Sequence, residues 1–398
     1  MNKIEQNLID FVYAAINDTQ PPACENWDKL ISLAKFNDLQ NLIAEEALKS
    51  EHLPESTREM LFNMQMGAVI KDANQETEVN SVINSFEKNH IKAIMLKGWY
   101  LKRLYPRMDL RTMADTDIFI KQSAERKVHE LLKLLGYSVV TFGGKKDNVY
   151  YKDPVITLEM HKNLFMYEDE WNERFNTPDS EMYIWNHIVP IDGYQYIYRM
   201  DDELFFVYMI AHTAKHLLDD GGIGARAFLD IWIYLREKPD LNFEIIFRDF
   251  DKLNLTKFAE TAIALSEFWF DKKSASTDVE EFGDYILKCG VYGNSDFFVV
   301  NNEVMRDGKK HSKWGYAFKR AFPNMESMKH RYPQLENKPW LLPVCYTKRL
   351  WYSLTHRKDA IKGEINSAGN INYEEARRIR KLYKMIGLEG IGESNAAT

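Results

Sequence analysis

Three acidic side chains stand at positions where they could bind a divalent cation. Asp115 and Asp117 are separated by one threonine, and in a strand two residues at this spacing point to the same face. Carboxylates that close repel each other unless a positive charge lies between them, and a hard divalent cation prefers oxygen ligands. Glu159, in the otherwise apolar stretch VITLEMH, is the candidate third acid. The alternatives are a solvated strand start for the pair and a surface-facing side chain for Glu159.

A third acid beside the pair would complete a two-metal site. Such a site aligns a triphosphate, activates the attacking oxygen and stabilises the leaving pyrophosphate. We therefore expect Asp115, Asp117 and Glu159 to be both the catalytic residues and the metal ligands. The expected cofactor is Mg²⁺, with Mn²⁺ as the alternative.

Basic and glycine residues upstream of the acids suggest a phosphate contact. Lys97 and Gly98 end a short apolar run and begin a helical one. A glycine there lets the backbone approach a phosphate, a helix N-terminus favours anions, and lysine adds a positive charge. Arg107 and Arg111 could reach phosphate or pair with the acids, and a structural salt bridge is the alternative for both. We expect Lys97, Gly98 and Arg111 to bind the nucleotide.

Two histidines at helical spacing form a second candidate feature. His212 and His216 are four residues apart, so they share one helix face. A zinc site is one interpretation, although Thr213 stands where a zinc hydrolase of the HExxH type has glutamate. A structural pair and a polar wall of the substrate cleft are the others. Further along, Arg226 and Asp230 have the spacing of an ordinary salt bridge within one helix, and the alternative is that they frame the substrate cleft.

The surrounding sequence predicts helices, then a small sheet, then helices. Apolar spacing predicts helices up to residue 88, including a long one over 55–86. Strands are predicted around IKAIM, DTDIFIK, SVVTF, NVYYK and VITLEMH, with a helix after Ser123 as its N-cap and ending at Gly136. Helical periodicity returns at residue 201. We therefore divide the chain into a helical region (1–88), an α/β core (89–200), a second helical region (201–390) and a flexible tail (391–398).

Composition argues for a globular, intracellular protein. The net charge is −7 over 398 residues, which argues against a general nucleic-acid binder but does not exclude one. Three cysteines without a CxxC pair fit a reducing compartment. The N-terminus lacks the pattern of a signal peptide, and the longest apolar run, 204–211, is too short to span a membrane. We expect a cytoplasmic protein with no membrane partner.

Cations lie among aromatic residues in HSKWGYAFKR and KHRYPQ. Such interleaving can stack nucleic-acid bases, but basic side-chain stems that cover apolar surface are the more ordinary explanation. His311, His330 and Arg331 are therefore left out of the candidate site.

A resemblance to a known family covers much of this sequence. The segment LKGWYLKRLYPRMDLRTMADTDIFI, followed by LEMH, resembles the uncharacterised nucleotidyltransferase family of the DNA polymerase beta-like superfamily. The positions that carry the resemblance are the lysine–glycine turn, the arginine before the aspartate pair, the pair itself, and an acid two residues before a histidine, here Lys97, Gly98, Leu104, Tyr105, Arg111, Asp115, Asp117, Glu159 and His161. It continues through AHTAKHLL, GARAFLDIWIYL, GVYG and RAFPNMESMKHRYPQLENKPWLLP, so that it covers most of residues 90–350.

The resemblance implies an α+β fold: a small mixed-sheet nucleotidyltransferase core flanked by N-terminal and C-terminal helical regions. It also implies that Asp115, Asp117 and Glu159 bind metal, and it adds His161 to His212 and His216 as candidates for the cleft wall. Two positions depart from the wider superfamily. Lys97-Gly98 replaces a usual Gly-Ser turn, and the third acid is Glu where Asp is common.

The expected function is metal-dependent transfer of a nucleoside monophosphate from a nucleoside triphosphate such as ATP to a hydroxyl acceptor, with release of pyrophosphate. The acceptor could be a small molecule, a sugar, a protein side chain or an RNA end. The alternative is a catalytically silent nucleotide- or protein-binding module on the same fold. Two adjacent, mutually repelling acids argue against that alternative, because a silent site has no need for them.

Overall fold

Helix starts near the N-terminus follow from side chains that the sequence supplies. In the computed structural model, the Asn2 side chain accepts hydrogen bonds from the amides of Ile4 and Glu5, at 3.0 and 3.1 Å. The Glu5 carboxylate accepts one from the Asn2 amide at 2.7 Å. This reciprocal arrangement satisfies amides that have no partner inside the helix. Asn26 caps the next helix in the same way through the Lys29 amide.

The structure describes residues 1–143, 147–154, 156–164, 183–219, 222–291, 318, 321–325, 328–329, 332–356 and 373–388. The predicted tail over 391–398 lies outside the described residues. So do His311, His330, Arg331 and the second half of the GVYG segment.

Most of the described helices come before the first strand or after the last strand in the sequence, and α5 and α6 lie between strands. The α-helices are α1 (Lys3–Asn17), α2 (Trp27–Phe36), α3 (Gln40–Ala47), α4 (Glu55–Lys88), α5 (Lys97–Leu101), α6 (Glu125–Leu134), α7 (Asp202–Asp219), α8 (Arg226–Glu237), α9 (Phe243–Lys252), α10 (Thr256–Phe270), α11 (Thr277–Cys289), α12 (Leu342–His356) and α13 (Tyr373–Met385). The long helix predicted over 55–86 is confirmed as α4. No helix among the described residues is both long and apolar enough to cross a bilayer.

The strands form one mixed sheet. They are β1 (Ala93–Met95), β2 (Thr116–Ile120), β3 (Ser138–Thr141), β4 (Asp147–Lys152), β5 (Ile156–His161), β6 (Ile188–Pro190) and β7 (Ile197–Met200). Their order is β3-β4-β5-β2-β1-β7-β6. β2 and β5 are parallel, as are β1 and β7, whereas the other neighbours are antiparallel. This mixed sheet with flanking helices is the α+β fold that the sequence predicts.

The sheet separates two apolar cores, because successive side chains of a strand point to opposite faces. Ile118 and Ile120 of β2 pack with residues of α4 and α6 in one core. Phe119 belongs to the other, larger core, which also contains residues of α7, α8 and the N-terminal helices. Asp117 alternates with Ile118 and therefore shares the Phe119 face, which is the face toward α7.

Two details of the secondary structure differ from the prediction. Ser123 is not an N-cap: α6 begins at Glu125 with Ala124 at the cap position and no side-chain cap, after a 3₁₀ turn over Gln122–Ala124. The hairpin of β6 and β7 was also missed. Its strands are only 3 and 4 residues long, and its turn contains Asp192 and Gly193, with Gly193 at φ 85°. That Asp-Gly pair was the available hairpin signal.

Candidate functional site

Two of the predicted acids lie side by side on neighbouring strands. In the parallel pair of β2 and β5, Asp117 is in register with Glu159. The Asp117 side chain is 10% exposed and that of Glu159 is 27% exposed. Asp115 directly precedes the first residue of β2 and is partly buried. The sequence expectation that β2 and β5 bring the acids together matches this arrangement.

Burial and neighbouring negative charges raise the pKa values of two of the acids, Asp115 and Glu159. Burial raises the pKa of Asp115, and the charge of Asp117 raises it further. Burial also raises the pKa of Glu159, with the charges of Asp117 and then Asp115 adding to the effect. Desolvation and like charges both disfavour the ionised form. A cation bound at this cluster would therefore stabilise the ionised form of the carboxylates.

His161 is a close partner of Asp117. Its Nε2 atom lies 2.7 Å from Asp117 Oδ1 and 3.5 Å from Glu159 Oε2. The ring is 4% exposed, and its Nδ1 atom lies 3.9 Å from Asp147 Oδ2. Glu159 and His161 are two residues apart on β5 and so share one face of the sheet. His161, predicted only for the cleft wall, is therefore central to the cluster.

These side chains fit a divalent cation. Asp117, Glu159 and His161 each offer a ligand atom, and the three atoms lie within 4.8 Å of one another. Carboxylate oxygens suit Mg²⁺ and Mn²⁺. Asp115 adds a further carboxylate nearby.

A lysine–histidine chain borders the acids on the α7 side. Lys97 Nζ lies 3.5 Å from Asp117 Oδ2 and within hydrogen-bond distance of His212 Nε2. His212 Nε2 in turn lies 3.1 Å from His216 Nε2. Lys97 comes from the start of α5, immediately after β1, whereas both histidines project from one face of α7. The sheet and α7 thus bring together residues that are more than a hundred positions apart in the sequence.

Tyr208 completes the α7 face and was missed from the sequence. It is fully buried, and its ring lies 5.9 Å from that of His212. Burial raises the pKa of its hydroxyl, and the charges of Asp117, Glu159 and Asp115 add to that rise. Its position four residues before His212 is the signal that could have found it, because residues at this spacing share a helix face. Asp147 was missed because nothing local marks it.

Gly98 has a packing reason to be glycine. A Cβ atom there would lie 2.8 Å from Met113 Sδ and 3.3 Å from Arg111 Nη1. The first distance is too short for carbon and sulfur in contact, so a side chain would force Met113 to move. This packing constraint explains why residue 98 is glycine, without any contact to a phosphate. Its predicted nucleotide contact stays a prediction.

Arg111 is held away from the acids by a buried ion pair. Its Nε and Nη2 atoms donate to the two carboxylate oxygens of Asp230 on α8, at 2.7 and 2.8 Å. The Tyr105 hydroxyl donates to the same carboxylate at 2.8 Å. Burial lowers the pKa of Arg111, but Asp230 raises it more, so the guanidinium stays charged. Its role in nucleotide binding stays a prediction, and the ion pair gives it a structural one.

The salt bridge predicted between Arg226 and Asp230 is wrong. Asp230 pairs with Arg111, whereas Arg226 pairs with Asp38 and donates to the Thr112 carbonyl at 3.1 Å. Both residues of α8 therefore form contacts with distant parts of the chain. Local helix spacing indicated the wrong partner because the buried tertiary contacts satisfy both charges better.

Comparison with known proteins places this chain in a family. A model of the uncharacterised nucleotidyltransferase family matches residues 23–271, more than half of the chain. A comparison with curated proteins gave no match. Among solved structures, the solution structure of the antibiotic-resistance factor ANT(2'')-Ia is similar at a TM-score of 0.33 and 10% sequence identity, over 46% of this chain and 95% of that one. A likeness at this TM-score establishes nothing about activity. From the family match, the chain belongs to the uncharacterised nucleotidyltransferase family.

Proposed function

We propose that this protein transfers a nucleoside monophosphate from a nucleoside triphosphate to a hydroxyl acceptor in a reaction that requires a divalent metal, with Mg²⁺ expected. The observation that carries the proposal is the register of Asp117 and Glu159 across β2 and β5, with the Lys97 ammonium beside them. Membership of a nucleotidyltransferase family supports the reaction class. The paired carboxylates and the adjacent cation are the charges that a metal-bound triphosphate needs.

Asp115, Asp117 and Glu159 are the residues that would hold the metal. When bound, the ion neutralises charge on the triphosphate and on the leaving pyrophosphate. The protein contributes a face of the sheet on which these carboxylates are already close together before substrate arrives. Preorganised charges of this kind act without reorganisation during the reaction, which is a major source of rate acceleration.

Lys97 is the proposed phosphate-binding cation. In the structure its ammonium group compensates part of the charge of Asp117. A metal on the carboxylates would take over that compensation, so Lys97 could turn to the triphosphate. Its contact with His212 keeps it at the cleft. Because an ammonium donates, His212 Nε2 accepts in this contact and the imidazole is neutral.

The transfer itself is an in-line displacement. The acceptor oxygen bonds to the α-phosphorus while the bond from that phosphorus to the bridging oxygen breaks, and pyrophosphate leaves with the electron pair. The hydroxyl proton passes to a carboxylate oxygen of Asp115 or Glu159.

The acceptor class stays open among a small molecule, a sugar, a protein side chain and an RNA end. A net charge of −7 disfavours RNA. Tyr208 and the paired histidines of α7 place both apolar and polar groups near the acids.

Thermal stabilisation by each ribonucleoside triphosphate, with and without Mg²⁺, tests the proposal. The variant is Asp117→Asn, which keeps the side-chain shape, and the matched control is Glu130→Gln, an exposed acid on α6. A hundredfold excess of ligand over its dissociation constant should stabilise the protein by about 2.7 kcal/mol. We expect a shift that requires both triphosphate and Mg²⁺, persists in Glu130→Gln and disappears in Asp117→Asn.

Two other outcomes would redirect the assignment. A shift that needs no metal and survives in Asp117→Asn would favour the silent binding module. Stoichiometric zinc in the purified protein, lost in a His212→Gln variant, would favour a zinc site on α7. Pyrophosphate release in the presence of a pool of candidate hydroxyl compounds would then identify the acceptor.

A further inference from the structure

The buried imidazole ring of His161 lies beside Asp117. It points Nε2 between Asp117 and Glu159, at 2.7 and 3.5 Å from their oxygens. The ring is 4% exposed, so its direction is fixed by packing and not by solvent. The inference below rests on the proposed metal dependence and concerns which atoms bind the metal.

The spacing of these atoms is close to that of ligands around one ion. For bonds of about 2.1 Å, neighbouring ligands of an octahedral ion lie about 3 Å apart and opposite ligands about 4.2 Å apart. The ligand atoms of Asp117, Glu159 and His161 lie within 4.8 Å of one another. Three ligands on one side of an ion leave its other positions for phosphate oxygens and water.

The far side of the ring supports the same interpretation. His161 Nδ1 is buried and has no hydrogen-bond partner, yet it faces Asp147 Oδ2 at 3.9 Å. A histidine that binds metal through one ring nitrogen usually carries its proton on the other, which it directs at a carboxylate. With the proton on Nδ1, Nε2 has a lone pair for a metal and Nδ1–H faces Asp147.

We infer that His161 binds the catalytic metal through Nε2, together with Asp117 and Glu159, and that this nitrogen ligand makes the site prefer Mn²⁺ to Mg²⁺. Mg²⁺ is bound almost entirely by oxygen, whereas imidazole is a good ligand for first-row transition metals.

The competing role for His161 is to position Asp117 by donating a hydrogen bond to it. The two roles differ in what they predict for metal choice. A positioning residue would strengthen Mn²⁺ and Mg²⁺ binding by similar factors. A nitrogen ligand would strengthen Mn²⁺ binding much more.

Electron paramagnetic resonance of Mn²⁺ bound to the full chain separates these roles. Pulsed spectra of the wild-type protein should show hyperfine coupling to a directly bonded ¹⁴N nucleus. The coupling should persist in His212→Gln and His216→Gln, which alter the other histidines near the cleft, and disappear in His161→Gln. Mn²⁺ titrations with Mg²⁺ competition should show that His161→Gln lowers the Mn²⁺-to-Mg²⁺ affinity ratio by about tenfold or more.

Each outcome decides the question. Bound Mn²⁺ without nitrogen coupling in the wild type, or an equal loss of both affinities in His161→Gln, would overturn the ligand role while leaving the metal-dependent transferase intact. Absence of Mn²⁺ and Mg²⁺ binding, even with a triphosphate present, would overturn both proposals. The wild-type spectrum decides the ligand role even if His161→Gln fails to fold.

Discussion

The guanidinium of Arg111 and the carboxylate of Asp230 form a two-point ion pair inside the protein, with N–O distances of 2.7 and 2.8 Å. Both side chains are at least nine-tenths buried. The pair joins the segment that leads into β2 to helix α8, although the residues are 119 positions apart. The carboxylates at the start of β2 are therefore held by a contact that lies outside their own sheet.

Removing one charge of this pair should destabilise the protein strongly. Asp230→Asn leaves a buried guanidinium without its counter-ion, which typically costs about 3–5 kcal/mol. The measurement is the urea midpoint of unfolding. The control is Arg107→Gln in the more exposed pair with Asp109, where a loss of about 1 kcal/mol or less is expected. Equal effects of the two variants would contradict the structural role of Arg111.

The Asp115→Asn and Asp117→Asn variants should differ in thermal stability, but both should lose triphosphate binding. Asp115→Asn and Asp117→Asn should each abolish stabilisation by triphosphate with Mg²⁺. In metal-free buffer, Asp117→Asn should melt at a lower temperature than Asp115→Asn, because Asp117 lies 2.7 Å from His161 Nε2 and 3.5 Å from Lys97 Nζ. Differential scanning fluorimetry of the two variants checks this order. The reverse order would show that Asp115 carries the structural contacts.

Glu159 should make stability depend on pH. Burial and the charges of Asp117 and Asp115 raise its pKa in the folded state, so the folded protein binds more protons than the unfolded chain between the two pKa values. Its ionisation therefore weakens the fold as pH rises from about 4, the usual value for glutamate, through the raised value. In metal-free buffer Glu159→Gln should thus melt above the wild type near neutral pH, and the difference should shrink as pH falls to about 4.

Added metal should reverse that order. The metal binds the ionised carboxylate, so at neutral pH Mg²⁺ or Mn²⁺ should stabilise the wild type more than Glu159→Gln. Glu130→Gln is the control for general charge effects. A Glu159→Gln variant that melts below the wild type without metal would mean that the carboxylate is compensated within the protein.

Lys97 and His212 should both strengthen triphosphate binding, and the effect of each should depend on the other. Lys97→Met removes the ammonium that lies 3.5 Å from Asp117 Oδ2, and loss of a charged hydrogen bond should weaken triphosphate binding by about tenfold or more. His212→Gln should weaken it less. Calorimetric titration with ATP tests this, and adenosine is the control ligand because it has no phosphates. Additive effects in the double variant would contradict a contact-dependent role for His212.

The sequence predicted the sheet and the acids because their signals are local. Side chains alternate along a strand, so Asp117 and Glu159 had to share a face with Phe119 and His161 once β2 and β5 were recognised. The fold class and the family are confirmed. The site roles of these residues and the division at residues 88 and 200 stay predictions.

Local sequence patterns could not predict which residues contact each other across the fold. The spacing of Arg226 and Asp230 indicated a pair within one helix, but each binds a residue in another part of the chain. Likewise, nothing near Lys97 indicates that His212 contacts it, because the contact exists only when α7 packs on the sheet. The hairpin of β6 and β7 was missed because its strands are too short for alternation to be distinctive.

The proposed metal ligands lie on both β2 and β5. Metal binding therefore reports whether these two strands are paired in the correct register. A shift of β5 by one residue would turn Leu158 and Met160 toward the cleft and carry Glu159 and His161 to the opposite face, among the residues of the smaller core. A chain with that error would keep much of its secondary structure but lose the ligands together. The fraction of molecules that bind metal in a refolded sample would therefore count those with the correct strand pairing, which circular dichroism cannot distinguish.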